Sequence, residues 1–292
     1  MGHLWVLVSL LSAIGDAVRD LAAKRVLTKN NSMFFTWLIF ALPLPVIYAG
    51  DIYSGVPDPG PAFYVALFSA LPLEILAQVL YMQALRLSPL SIVAPLLSLT
   101  PVFMLAVPFL LIGEKISMVS GAGIVLIAAG AYILNAGAMK RGLLEPLKAL
   151  LRERGALYMC MVALLFSFTA TLSKKAIALS SPIHYMAVYW TCLVAGMTPL
   201  VFWTYRGRWG ELTKGGTVRK AILPAMLFLM AAFAAASAMS MTKVTYVTTV
   251  KRFSILFSIV LAGAVLKEEC IRERFSGALL MLAGFALIVL FG

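Results

Sequence analysis

Charge is what this sequence has least of. Only 12% of its 292 residues are Asp, Glu, Lys or Arg, and 12 acidic residues face 24 basic ones. With a mean hydropathy of +0.97, so small a supply of charge excludes a soluble globular domain, in which about a quarter of the residues are charged. Histidine is scarcer still: there are 2, His3 and His184, far apart in the chain. Neither HExxH nor GxSxG occurs, and no paired aspartates stand in a GxGD context, so an intramembrane enzyme is the reading with least support. The 3 cysteines, Cys160, Cys192 and Cys270, make neither a disulfide framework nor a metal-ligand spacing. They read as small buried apolar side chains, and neither a metal nor a cofactor is expected.

What the sequence has instead is apolar length. Its hydrophobic residues fall into ten blocks near 3–24, 33–50, 62–85, 89–112, 117–137, 156–174, 182–204, 220–242, 244–266 and 273–291. Each block is long enough to cross a hydrocarbon core of about 30 Å at about 1.5 Å per residue. The runs are continuous, not alternating, which points to helices that satisfy their own backbone groups and not to a barrel. The expected fold is an all-α membrane protein with ten transmembrane helices. HLWVLVSLLSAIG, near the start, has no basic stretch before it and runs on into Asp16, Arg19 and Asp20. It therefore reads as the first span, not as a cleaved signal.

The basic excess is not spread evenly. Seventeen Lys and Arg residues fall on the odd-numbered connections, against four on the even-numbered ones, Lys115, Lys174, Lys175 and Lys243. The connection after span 2 carries Asp51 and Asp58. By the positive-inside rule the odd connections are cytoplasmic and both termini extracytoplasmic, in an inner or plasma membrane. The net charge of +12 is thus a topology signal and implies no nucleic acid. The basic connector 138–155, MKRGLLEPLKALLRERGA, has the composition of a segment lying on anionic headgroups.

A shift of 154 residues brings landmarks into register. Gly123 falls on Gly277, Gly130 on Gly284, Glu114 on Glu268, and Ser88 on Thr242. The chain divides into a first repeat over 1–137, the connector 138–155, and a second repeat over 156–292. Each repeat holds five spans; five is odd, so the second enters the membrane the opposite way and the two are inverted repeats. Such a pair suits a transporter, because two similar bundles rocking on each other open a shared site to either face in turn.

The matched runs are YMQALRLSPLSIVAPLLSLTPVFMLAVPFLLIGEKISMVSGAGIVLIAAGAYIL and SAMSMTKVTYVTTVKRFSILFSIVLAGAVLKEECIRERFSGALLMLAGFALIVL. In both, a glutamate opens the connection to a glycine-bearing last helix. On these residues the chain resembles the drug/metabolite transporter superfamily, in its EamA-type ten-helix form. The resemblance implies a central cavity within spans 1–4 and 6–9, spans 5 and 10 at the periphery, and alternating access without ATP hydrolysis. One mark departs from the pattern: the first repeat reads Gly113-Glu114, the second Lys267-Glu268. Both glutamates stand at helix junctions and read as structural, capping the next helix or pairing with nearby cations. The glycines of spans 5 and 10 read as close helix packing, within the monomer or in a homodimer.

A charge at the bilayer centre costs about 2.5–3.5 kcal/mol on insertion scales, so each one inside a span needs a partner or water. In span 1, Asp16, Arg19 and Asp20 share one helical stripe and allow an internal ion pair. In span 3, Glu74, Gln78 and Tyr81 recur at i, i+4 and i+7, and Glu74 has no cation in its own span. It is the candidate for a proton or a substrate ammonium. In span 9 the stripe is Lys251, Ser254 or Ile255, and Ser258; Lys251 and Arg252 are adjacent and point about 100° apart on a helix, so one faces the pathway and the other packs elsewhere. His184, Tyr185, Tyr189 and Trp190 read as belt or packing residues at the start of span 7, a pH-sensitive gate at His184 being the alternative. Span 4 carries Pro89, Pro95, Pro101 and Pro108, which free carbonyls or supply a bend.

The expected function is a secondary transporter moving a small polar organic metabolite, outward and coupled to protons or a counter-substrate. A lipid-linked or amphipathic substrate is the alternative on the same fold. A cation of span 9 facing Glu74 across the cavity would suit an amino-acid-like zwitterion.

Overall fold

The computed structural model describes residues 4–24, 32–88, 96–136, 152–206, 210, 216–254, 256–257 and 275–291. Most of the basic connector, the side chain of Asp20, Pro89, Pro95, Ile255, Ser258, Glu268 and Cys270 lie outside them. Among the described residues all regular structure is helical. The helices are α1 (Leu4–Lys24), α2 (Ser32–Ala41), α3 (Leu44–Ser54), α4 (Pro61–Leu87), α5 (Thr100–Phe103), α6 (Val107–Ile112) and α7 (Met118–Ala136), followed by α8 (Arg154–Ala178), α9 (Pro182–Thr204), α10 (Thr217–Met241), α11 (Val244–Val250) and α12 (Phe275–Phe291). A 3-10 turn, Leu97–Leu99, precedes α5.

Among the described residues five stretches are long and apolar enough to cross a membrane: Met33–Ser54, Pro61–Tyr81, Arg154–Ala178, Pro182–Thr204 and Thr217–Met241. Large apolar side chains such as Leu110, Trp203 and Leu290 point outward, as a lipid-facing surface requires. Two helices outrun the spans expected from hydropathy. The first, α3, continues to Ser54 past a turn at Leu42-Pro43, so Asp51 is a buried helical residue and not part of a connector. The second, α8, continues to Ala178 and takes Lys174 and Lys175 with it. A polar residue near a helix end is tolerated there because a neighbouring helix supplies its partner.

Helix starts and stops follow local chemistry. Ser181 caps α9 by accepting the His184 N–H at 3.2 Å, with Pro182 in the first turn, where its missing N–H costs nothing. Gly113 ends α6 at φ 69°, a left-handed conformation open to glycine at little cost.

The largest helix contacts join the two repeats. Helix α1 packs on α10, α4 on α8, α7 on α12, and α9 on α2 and α3. The shift of 154 carries α1 toward α8 and α4 toward α10, so the first two contacts exchange and the α7–α12 contact maps onto itself. The glycines give the direction. A Cβ on Gly123 would stand 2.7 Å from the Gly284 oxygen, and one on Gly130 would stand 2.5 Å from the Gly277 oxygen. Sequence register pairs Gly123 with Gly277, but space pairs it with Gly284. Such crossing over requires antiparallel helices related by a two-fold, which is the inverted relation. The glycines thus serve close packing inside one chain. Small residues do the same for α1 on α10, where a Cβ on Gly15 would meet the Ala231 Cβ at 2.9 Å.

Candidate functional site

Span 4 is broken in the way its prolines predict. Pro101 has no N–H for the Leu97 carbonyl, which instead accepts from the Thr100 hydroxyl at 2.8 Å. Pro108 likewise leaves the Met104 carbonyl free, and the hydroxyl of Thr245, on α11 in the other repeat, donates to it at 3.0 Å. A carbonyl freed in one half is therefore satisfied by the other. Thr245 was not singled out from sequence. The signal was present in Pro108, four residues after a carbonyl that needed a donor.

Span 9 breaks at the matching place without a proline. Helix α11 ends at Val250: Lys251 N–H still makes the α-type bond to Val247 O at 2.9 Å, and the bonds then tighten to three residues, Arg252 N–H reaching Thr249 O at 3.0 Å and Ser254 N–H reaching Lys251 O at 3.0 Å. By the shift of 154, Lys251 falls on Leu97, where the first repeat forms its 3-10 turn. The continuous stripe expected through Lys251 and Ser254 is thus interrupted. Helices interrupted at corresponding positions in inverted repeats are where transporters build their binding sites.

At this break the charges gather. Lys251 Nζ lies 3.2 Å from Asp16 Oδ2, and Arg19 lies 3.2 Å from Asp16 Oδ1 one turn along α1. Asp16 is 8% exposed, so neither its charge nor that of Lys251 is left to lipid. Arg252 is within electrostatic reach of Asp16, and its buried Nε has no hydrogen-bond partner among the described residues. The Arg19 guanidinium also lies 5.0 Å over the Phe228 ring, close enough for a cation–π contact. Three cations thus surround one described carboxylate, and counting Asp20 as a second still leaves a positive surplus. The cation of span 9 expected to face Glu74 instead pairs with Asp16, because the inverted fold sets α1 beside α10 and α11.

Glu74 belongs to a separate patch on α4 and α8. Gln78 donates to its Oε1 at 2.9 Å, and Thr169 also bonds its side chain. No cation pairs with it among the described residues. Tyr81 continues the stripe into a cluster with Leu96, Ala156 and Met159. Tyr185 and Tyr189, their rings stacked at 5.1 Å, lie within electrostatic reach of Glu74, and the Tyr185 hydroxyl donates to Ser173 at 2.6 Å. His184, Tyr185, Tyr189 and Trp190 are all buried, so they form no interfacial belt. The shift of 154 sets Phe228 opposite Glu74, Ser173 opposite Arg19 and Ala170 opposite Asp16. The two pseudo-equivalent helix pairs thus carry different chemistry, a carboxylate in one and a surplus of cations in the other.

Glu114 caps a helix, but one in the other repeat. Its carboxylate accepts the Val244 N–H at 3.3 Å and the Thr245 hydroxyl at 3.4 Å, at the start of α11. It also lies 3.5 Å from Lys174 Nζ. Lys174 donates further to the Thr242 carbonyl, while Lys243 reaches the Tyr246 hydroxyl at 3.3 Å. Glu114, Lys174, Thr242 and Lys243, with Ile112, Ser240 and Met241, line an open cleft of about 550 Å³. Among the described residues no cluster of His, Cys, Asp and Glu is arranged to hold a metal ion.

Two inverted helical repeats, interrupted fourth spans and a charged cluster at the interruption define a multi-pass membrane transporter. The chain matches the EamA-like transporter family over residues 3–136 and 153–290. It belongs to that family, within the drug/metabolite transporter superfamily. A solved structure titled only "Crystal structure of protein" superposes on 99% of this chain and 98% of its own, with a TM-score of 0.78 at 17% identity, which shows a shared fold. Among curated proteins no sequence matches it.

Proposed function

We propose that this chain is a secondary active transporter of a small polar organic metabolite bearing an anionic group, an amino-acid-like zwitterion being the substrate that fits best. Transport runs outward by alternating access, coupled to protons or to a counter-substrate. The observation that carries this reading is the cluster at the break in span 9, where Lys251, Arg252 and Arg19 share Asp16 and the buried Arg252 Nε has no hydrogen-bond partner among the described residues. A buried cation short of acceptors favours a ligand that brings one. Glu74, with no cation of its own, supplies the opposite pole, for a substrate ammonium or a proton. Substrate and counter-charge then meet at two unlike poles of a pseudo-symmetric frame.

The test is uptake and efflux of an amino-acid panel in proteoliposomes, with and without a pH gradient. Transport of at least one zwitterion is expected, reduced tenfold or more (about 1.4 kcal/mol of binding) by Lys251→Met. Absence of transport for every zwitterion, or undiminished transport by both Lys251→Met and Glu74→Gln, overturns it.

A further inference from the structure

One buried ionisable pair lies apart from both poles. Asp51, in the last turns of α3, and His184, in the first turn of α9, meet with His184 Nδ1 2.9 Å from Asp51 Oδ2. Asp51 is 3% exposed and His184 6%. Asp51 Oδ1 and His184 Nε2 are both buried with no hydrogen-bond partner among the described residues. The contact joins span 2 of the first repeat to span 7 of the second, on the face of the even-numbered connections. The Tyr48 hydroxyl pairs with Thr191 at 2.8 Å along the same seam.

We propose that Asp51 and His184 form a proton-binding site that ties the two repeats together on this face when occupied and lets them part when empty. With the imidazole protonated, the pair is an ion pair of zero net charge. Once the proton leaves, the contact holds a buried carboxylate facing a neutral ring, and an uncompensated buried charge is costly unless the contact opens to water. The contact therefore holds while the pair carries its proton and loosens once the proton is lost.

Among the described residues no other group on the packed elements takes over the charge. From α4 the pair meets the Phe63 ring, 5.7 Å from His184, with the half-exposed Tyr64 edge-on behind it. Glu74 lies about 16 Å further along α4, bonded to Gln78. From α8, Lys174 is held by Glu114 and Lys175 points to the surface. On α9, Tyr185 turns to Ser173 and Tyr189 stacks on Tyr185. On α3, Tyr53 and, beyond it, Asp58 are exposed. At the opposite end of the same spans the shift of 154 places Tyr205 where Asp51 stands, and Tyr205 packs edge-on to Phe34. The proton-sensitive contact therefore belongs to one face.

The proposal rests on the transporter reading for its consequence but is tested without a substrate. Spin labels on Tyr53→Cys, at the end of span 2, and Leu179→Cys, in the short turn that leads from α8 into span 7, both exposed, report their separation in a background lacking the native cysteines. Between about pH 5.5 and pH 8 the longer-distance population should rise about threefold, and this response should vanish in His184→Gln and in Asp51→Asn. A pH response that persists in either variant, or is absent from the parent, overturns the proposal. If no panel compound is transported, the substrate reading fails while the spin-label result stands.

Discussion

Asp16 is the residue on which most of the site's charge depends. It answers Lys251 and Arg19 directly and Arg252 at longer range. Removing one member of a partly buried pair strands the other, so Asp16→Asn and Lys251→Met should each lower stability by roughly 1–3 kcal/mol. The double variant should recover only the part of that loss that belongs to Lys251 and none of the transport, because Arg19 and Arg252 still lack the Asp16 carboxylate. Thermal unfolding in detergent, read beside exchange in proteoliposomes, checks both. A double variant no more stable than the worse single one would mean the two residues are not coupled. Glu74→Gln makes a different prediction. The amide can keep the bonds to Gln78 and Thr169 but cannot exchange a proton, so exchange between equal pools should continue while accumulation driven by a pH gradient is lost. Equal loss of both would make Glu74 a substrate contact alone.

At the scale of elements, the bond between Thr245 and the Met104 carbonyl ties a proline in one half to a hydroxyl in the other. Thr245→Val should cost about 1–2 kcal/mol by leaving that carbonyl unpaired in the bilayer. Pro108→Ala supplies the missing N–H, so the double variant should be more stable than Thr245→Val alone; if it is not, the carbonyl is satisfied in another way. This element also marks how far sequence could be read. The break in span 4 is announced by its prolines and the long apolar helices by their length, but span 9 breaks at TTVKRFSILF with no proline or glycine to signal it. The inverted repeat, too, was readable in the glycine register, since only antiparallel packing brings Gly123 to Gly284 and Gly130 to Gly277. What hydropathy did not contain is which helices are neighbours. Lys251 was therefore matched with Glu74 when Asp16 is beside it, and Asp51 and Lys174 were set in connectors when the helices carrying them continue.

For the whole molecule, the contacts that must change if the halves rock are those that cross between them. Glu114 crosses three times near the cleft, to Lys174, to the Val244 N–H and to Thr245. A carboxylate shared in this way holds the start of span 9, and with it the break carrying Lys251, against the end of span 4. Glu114→Gln keeps hydrogen-bonding capacity but gives up the attraction to Lys174, so it should bias the molecule toward the state open on this face. Ser240→Cys, exposed on the cleft, reports the opening when treated with a membrane-impermeant thiol reagent in a cysteine-free background. The positive-inside rule places this face outside. Ser240→Cys should therefore react in intact cells, and Arg152→Cys, exposed on the basic connector, only after permeabilisation. The opposite pattern would reverse the topology. Adding Glu114→Gln should raise the rate at Ser240→Cys several-fold, since a shift of about 1 kcal/mol between two states changes their ratio about fivefold. An unchanged rate would leave Glu114 as a helix cap with no part in closure, and the crossing contacts that govern access would then have to lie deeper, where Thr245 meets Met104 and Lys251 meets Asp16.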